Sequence, residues 1–192
     1  MAPVMARRNF YLGGGTAIAI YLGHRRSVDF DWFTKEQMSD ALRLGQELRD
    51  ERVPLKIEQI DRGTLRGRIY RIPVSFLEYR YPLLKPPVLW VQSHCLIASL
   101  DDLVCMKLSA LAQRGSRKDF VDIYALGLKH LSLKEMLRLY QTKYSVRDIG
   151  HVLYGLAYFD DADREKMPKM LWTLRWETVK ETLRGWLKQI AR

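Results

Sequence analysis

The sequence predicts an α+β chain, with a sheet domain over residues 1–98 followed by an all-helical part over residues 99–192. Three observations carry this reading. Short apolar or alternating runs, broken by glycine-containing turns and intervening helices, fill the first part. From Ser99 onward apolar residues recur only at helical spacing. The composition, 47% hydrophobic and 28% charged, is ordinary for a globular chain and sufficient for one well-buried core.

The elements follow in order. Arg8 to Leu12 reads as a strand running into Gly13-Gly14-Gly15, and Thr16 to Leu22 as a short helix closed by Gly23. Val28 to Phe33 alternates, with Val28, Phe30 and Trp32 on one face and Asp29 and Asp31 on the other. Lys35 to Arg52 carries Met38, Leu42, Leu44 and Leu48 at helical spacing. Leu55 to Ile60 and Gly67 to Leu77 read as a hairpin around the turn Asp61-Arg62-Gly63-Thr64, and Val88 to Val91 as a further strand. Ser99 opens a helix with Asp102 at its third position, and Gly115 stops it. Ser132 with Glu135 forms a capping box, and Ser145 with Asp148 is a weaker cap of the same kind. Val179, Leu183, Trp186, Leu187 and Ile190 give the last helix one apolar face.

The net charge is +10, which favours polyanionic partners such as nucleic acid or nucleotides. Residues 1–70 hold 12 basic and 9 acidic residues, and the remainder carries +7, so the back half is the better candidate for holding a nucleic acid. No apolar run approaches the roughly 20 residues that span a bilayer. Together with the absence of a signal-like segment and the presence of only two cysteines, Cys95 and Cys105, this predicts a cytoplasmic protein with no membrane partner. His24, His94, His130 and His151 have no zinc-ligand spacing and read as structural or surface residues.

Two groups of residues carry chemistry. A strand, a glycine run and a helix make an anion site, because glycine backbone N–H groups approach a phosphate closely and the helix start adds its free donors. Gly14, Gly15 and Thr16 occupy that place, although a tight turn needs the same residues. Asp29 and Asp31, two apart on a strand, share a face at a spacing of roughly 6–7 Å, suited to converging on Mg²⁺ beside substrate phosphates. In the helical part, Lys107 falls at about 340° on a wheel started at Leu100, inside the stripe of Leu103, Val104, Leu108 and Leu111. Asp119 likewise sits between Ile123 and Leu126, with Asp122 flanking them. A lysine in such a stripe snorkels to water or meets an anion, and a buried acid needs a cleft or a partner, Lys107 or an arginine among them.

The stretch Leu12–Phe33, with Gly-Gly/Thr, a short helix and Asp-x-Asp, resembles the DNA polymerase β-like nucleotidyltransferase superfamily. It resembles most closely the AbiEii/AbiGii group, the nucleotidyltransferase toxins of type IV toxin–antitoxin and phage-defence systems. Val74–Leu84 and Ser99–Leu126 resemble the same group, so the resemblance covers about residues 8–130. It implies a nucleotidyltransferase-fold mixed sheet flanked by helices, with the helical part completing the active site. It further implies transfer of an NMP from an NTP to an acceptor, RNA such as the 3′ end of tRNA. Asp29 and Asp31 would hold Mg²⁺, replaceable by Mn²⁺, and Gly14, Gly15 and Thr16 the β/γ phosphates. Lys107 would neutralise the triphosphate, and Lys118, Asp119 and Asp122 match the group's Lys-Asp-x-x-Asp motif, with Asp119 activating the acceptor and Asp122 supporting it. Arg25 and Arg26 would touch phosphate or acceptor, or form a solvated basic loop. A winged-helix antitoxin from the neighbouring gene is the implied partner. The alternative is a catalytically silent nucleotide- or RNA-binding protein with a vestigial site. Most of the superfamily carries a third metal-binding aspartate on a later strand. Here Glu78 is the only acid between Asp61 and Asp101, as fits this branch, and the metal count stays open. The two groups of charges are expected to line one pocket.

Overall fold

The computed structural model describes residues 1–190; residues 191 and 192, the end of the predicted helical part, lie outside the described residues. The contacts divide the chain into two units, Met1–Ala17 with Ser27–Ser99, and Ile18–Arg26 with the chain from Leu100 onward. The α+β class holds.

The first unit is built on a seven-stranded mixed sheet of β1 (Tyr11–Gly13), β2 (Phe30–Thr34), β3 (Leu55–Asp61), β4 (Thr64–Ile69), β5 (Ile72–Glu78), β6 (Val88–Trp90) and β7 (Cys95–Ile97). Their order is β3-β4-β5-β2-β1-β7-β6, with β2 parallel to β5 and antiparallel to β1. One face of the sheet is apolar: Leu12, Trp32, Phe76 and Leu65 are buried, and Phe10 meets Phe76 edge-on. The helix α3 (Ala41–Asp50) covers the β3–β4 part of this face, capped by the Asp40 side chain and buried through Ala41, Gly45 and Leu48. The six-residue helix α1 (Ala2–Arg7), not anticipated from the sequence, buries Met5 and packs on β7.

Several boundaries differ from the sequence reading for physical reasons. The expected strand Gly67–Leu77 is two strands, because Tyr70 takes a left-handed φ of 54° and turns the chain between β4 and β5. The helix expected from Lys35 begins only at Ala41, where Asp40 supplies its cap. The expected strand from Val28 begins at Phe30; Val28 is 70% exposed and does not join the apolar face.

The second unit is helical. It holds the end of α2 (Gly14–Leu22), then α4 (Leu100–Arg114), α5 (Arg117–Lys129), α6 (Leu133–Tyr144), α7 (Gly150–Ala157), α8 (Asp160–Asp163) and α9 (Trp176–Ile190). The central helix is α4, which packs against α5, α6 and α7, so polar positions on it are buried along with the apolar stripe. Asp102 at its start pairs with Lys143 of α6 at 2.6 Å, both fully enclosed. The Ser132–Glu135 capping box is formed as expected. Ser145 instead ends α6 in a left-handed conformation with φ 53°, and the next helix begins five residues later. Phe120, Phe159 and Trp176 make an aromatic cluster between α5 and α9. Gly127 lets the Trp186 ring lie on α5, where a Cβ would stand 2.1 Å from it.

Candidate active site

In the first unit, β1 and β2 pair with Gly13 opposite Asp31. The chain turns directly from Gly13 into α2, and Gly14 makes the turn with φ +63°. A Cβ at Gly14 would lie 2.5 Å from Asp31 Oδ2, so only glycine leaves room for this carboxylate against the start of the helix. The free N–H groups of the first helical turn and the helix dipole favour negative charge there.

Asp29 precedes β2 rather than lying on it. It is fixed by two hydroxyls: Ser27 Oγ donates to Asp29 Oδ1 at 2.9 Å, and Thr16 Oγ1 donates to the Asp29 carbonyl oxygen. Thr16 is buried, so its hydroxyl ties the glycine turn to the aspartate loop instead of reaching out toward solvent. Sequence reasoning misses Ser27, whose position two residues before Asp29 is the only signal it gives. Asp29 and Asp31 are both half-buried. Among the described residues no cluster of three or more His, Cys, Asp or Glu is arranged to hold a metal. A pair of carboxylates suits Mg²⁺ nonetheless, since that ion keeps several waters and takes further oxygens from substrate phosphates.

In the second unit, Lys107, Asp119 and Asp122 meet, all essentially enclosed. Lys107 Nζ lies 2.9 Å from Asp119 Oδ1 and 2.9 Å from Asp122 Oδ2. Arg114 Nε and Nη2 fork onto Asp119 at 2.7 and 2.9 Å, and Ser116 Oγ donates to it at 2.7 Å. Arg25 forks onto Asp122 through Nε and Nη2 at 2.7 and 2.8 Å, and His24 Nε2 lies 2.7 Å from Asp122 Oδ1. Burial pushes the Asp119 and Asp122 carboxyls up, but the hydrogen bonds and charges of Arg114, Lys107, Arg25 and His24 outweigh it and hold both well below the usual carboxylate range. Burial lowers the Lys107 pKa, yet the charges of Asp122 and Asp119 raise it overall. The wheel placement of these three residues on a buried face is therefore correct; Lys107 meets both aspartates, which also take Arg114, Ser116, Arg25 and His24 as partners.

Of the two arginines of the 24–26 loop, Arg25 is buried, so the solvated-loop alternative fails for it. The loop is also pinned by its backbone: Arg26 N donates to the Lys169 carbonyl, and the N–H groups of Leu171 and Trp172 donate to the His24 carbonyl. Arg26 is exposed, and Lys118 is half-buried. The two cysteines are buried, and burial pushes the Cys95 thiol up to about 11 and that of Cys105 to about 12, which removes both as nucleophiles at neutral pH.

The model of the nucleotidyl transferase AbiEii toxin family, of the type IV toxin–antitoxin systems, matches residues 41–186. The chain belongs to the AbiEii family. The match extends beyond the 8–130 span of the sequence resemblance at its far end and starts after the glycine turn and Asp29/Asp31, which lie outside the matched residues. An uncharacterised protein of Aquifex aeolicus is 39% identical over 183 residues, covering 94% of this AbiEii chain and 87% of the relative. Among solved structures, JHP933 from Helicobacter pylori has a TM-score of 0.60 at 16% identity, covering 98% of this chain and 86% of that one. MenT4, a nucleotidyltransferase toxin from Mycobacterium tuberculosis, has a TM-score of 0.53 at 15% identity, with coverage of 97% and 80%. The antibiotic-resistance factor ANT(2″)-Ia has a TM-score of 0.55 at 14% identity, with coverage of 73% and 85%. At these identities the structures show a shared fold; the family match makes this AbiEii chain a nucleotidyltransferase.

Proposed function

We propose that this chain moves an NMP from an NTP onto RNA, such as the 3′ end of tRNA, with Mg²⁺ or Mn²⁺ as cofactor. In this reading it is the cytoplasmic toxin of a type IV toxin–antitoxin or phage-defence system, with a winged-helix antitoxin encoded beside it. The observation that carries the chemistry is the space left by Gly14 for the Asp31 carboxylate at the start of α2.

Asp29 and Asp31 hold the metal ion, which when bound supplies charge neutralisation to the phosphates and the leaving pyrophosphate. The backbone N–H groups of Gly14 and Gly15 hold the β/γ phosphates. Thr16 and Ser27 keep Asp29 in place. Arg26 and Lys118 contact phosphate or acceptor. Phosphoryl transfer is mostly positioning and charge neutralisation, so these parts suffice without a dedicated base.

Several roles suggested by the sequence change on this geometry. The sequence offers Asp119 for activating the acceptor, but a carboxylate that already accepts from Lys107, Arg114 and Ser116 has little drive to take a proton at neutral pH. Lys107 already faces two carboxylates, and Arg25 is taken up by Asp122. We assign Lys107, Asp119, Asp122 and Arg25 to a buried charge frame that fixes residues 24–26, the segment leading into Ser27 and Asp29.

Thermal melting tests the nucleotide site. Mg²⁺ and an NTP together should raise the Tm more than either alone, because ligands of the native state stabilise it. The double variant Asp29→Asn/Asp31→Asn should lose the joint shift; its full retention would put nucleotide binding elsewhere.

A further inference from the structure

The sheet face that carries Asp31 continues outward as a basic surface. Residues paired across a sheet point to the same face. Asp31 on β2 pairs with Ser75 on β5, Ser75 with Arg66 on β4, and Arg66 with Gln59 on β3. The next row on the same face runs from Pro73 on β5 to Arg68 on β4 and Lys56 on β3. Strands lie about 4.8 Å apart, so Arg66 stands roughly 10 Å to the side of Asp31. Ser75 and Pro73, small and half-buried, form the floor between them. This is the face turned away from α3, and Lys56, Arg66 and Arg68 are all exposed on it.

The charges there are poorly explained by folding. Lys56 stands directly opposite Arg68, an arrangement of like charges that destabilises a strand pair. Glu58 pairs with Arg68, and Asp61 is met by Gln59, so two acids share the face. Lys56 and Arg66 make no ion pair with any described residue. Charge on an edge strand guards against unwanted pairing, which accounts for Lys56 on β3. It does not account for Arg66 and Arg68, because β4 is an interior strand.

We infer that this face, from Asp31 across Ser75 to Arg66, Arg68 and Lys56, is the track on which the phosphates of an RNA acceptor lie. It rests on the nucleotidyl-transfer reading: the acceptor's end is at Asp31, and the cations lie where the phosphates preceding that end must pass. The contacts are to the sugar–phosphate backbone, so they position the acceptor without reading its sequence.

The test is binding of fluorescently labelled total tRNA, measured by anisotropy over a series of salt concentrations. The variant Arg66→Ala/Arg68→Ala, with both residues exposed and its melting temperature checked against wild type, should bind more weakly. Its slope of log K against log salt should fall by about one for each phosphate that the variant no longer neutralises. Asp29→Asn/Asp31→Asn removes no cation from the track, so its slope of log K against log salt should stay that of wild type while transfer is lost. Unchanged affinity and slope in the arginine variant would overturn the track. A wild-type chain that binds polyglutamate but not tRNA would overturn it too, assigning the face to an acidic protein. Transfer surviving in the aspartate variant would instead sink the catalytic reading and leave the track standing.

Discussion

Gly14 and Asp31 adjoin so closely that a Cβ on Gly14 would stand 2.5 Å from Asp31 Oδ2, while Gly14 itself holds φ +63°. Both constraints fall on one residue. The backbone must be left-handed to turn from β1 into α2, and the side chain must be absent for the carboxylate to reach the helix start. Gly14→Ala should therefore destabilise the fold by about 1–3 kcal/mol, the range for a strained left-handed residue. It should also weaken the joint Mg²⁺–NTP thermal shift. Urea denaturation and melting with ligands measure the two effects, and an alanine variant with wild-type values in both would show that the close approach is not needed.

Lys107→Met removes one cation from between two enclosed carboxylates. Breaking a buried pair from one side costs about 3–5 kcal/mol, because the charge left behind is uncompensated. The remaining forks of Arg25 and Arg114 place the expected loss toward the lower end. A lysine held chiefly for a substrate would give a variant of wild-type stability with impaired transfer; urea titration separates the two.

The same cluster sets a pH dependence. Asp119 and Asp122 sit below their ordinary 3.8 in the fold. Their stabilisation is present above that value and is lost as pH falls through the lower folded values. Lys107 sits above its ordinary 10.5, so its stabilisation is present below 10.5 and lost as pH rises through the higher folded value. Stability from the cluster should be level across the neutral range and fall at both extremes. Asp122→Asn should be less stable near neutrality and show a shallower acid limb. An acid limb identical to wild type would remove Asp122 from the account.

Asp122 also ties down the loop before the aspartates, through Arg25 and His24. In Asp122→Asn, amide hydrogen exchange over residues 24–26 should speed up relative to the body of α5. Exchange unchanged in that segment would mean that its backbone bonds to residues 169–172 suffice to hold it.

Much of this was legible in the sequence. The glycine run, the Asp-x-Asp and the burial of Lys107 and Asp119 all follow from spacing, because turn chemistry and helical periodicity are local. Partners are not local. Arg25 reads as a phosphate ligand until Asp122, 97 residues later, takes its guanidinium. A helical wheel reports that Lys107 and Asp119 face inward, and nothing in it reports that they face each other. Thr16 looks like a hydroxyl for phosphate, and its bond to the Asp29 carbonyl depends on how two loops meet. The turn at Tyr70 and the three-residue β7 escape a sequence reading because neither carries a glycine or proline signal or a run long enough to show alternation.

The central claim, that Asp29 and Asp31 beside the glycine turn drive nucleotidyl transfer, is tested most directly by label transfer from α-labelled NTPs to total tRNA in Mg²⁺. Wild type should label the RNA. Asp29→Asn/Asp31→Asn, folded by its melting curve, should lose several kcal/mol of transition-state stabilisation, about a thousandfold in rate. Transfer at the wild-type rate by that variant would contradict the account.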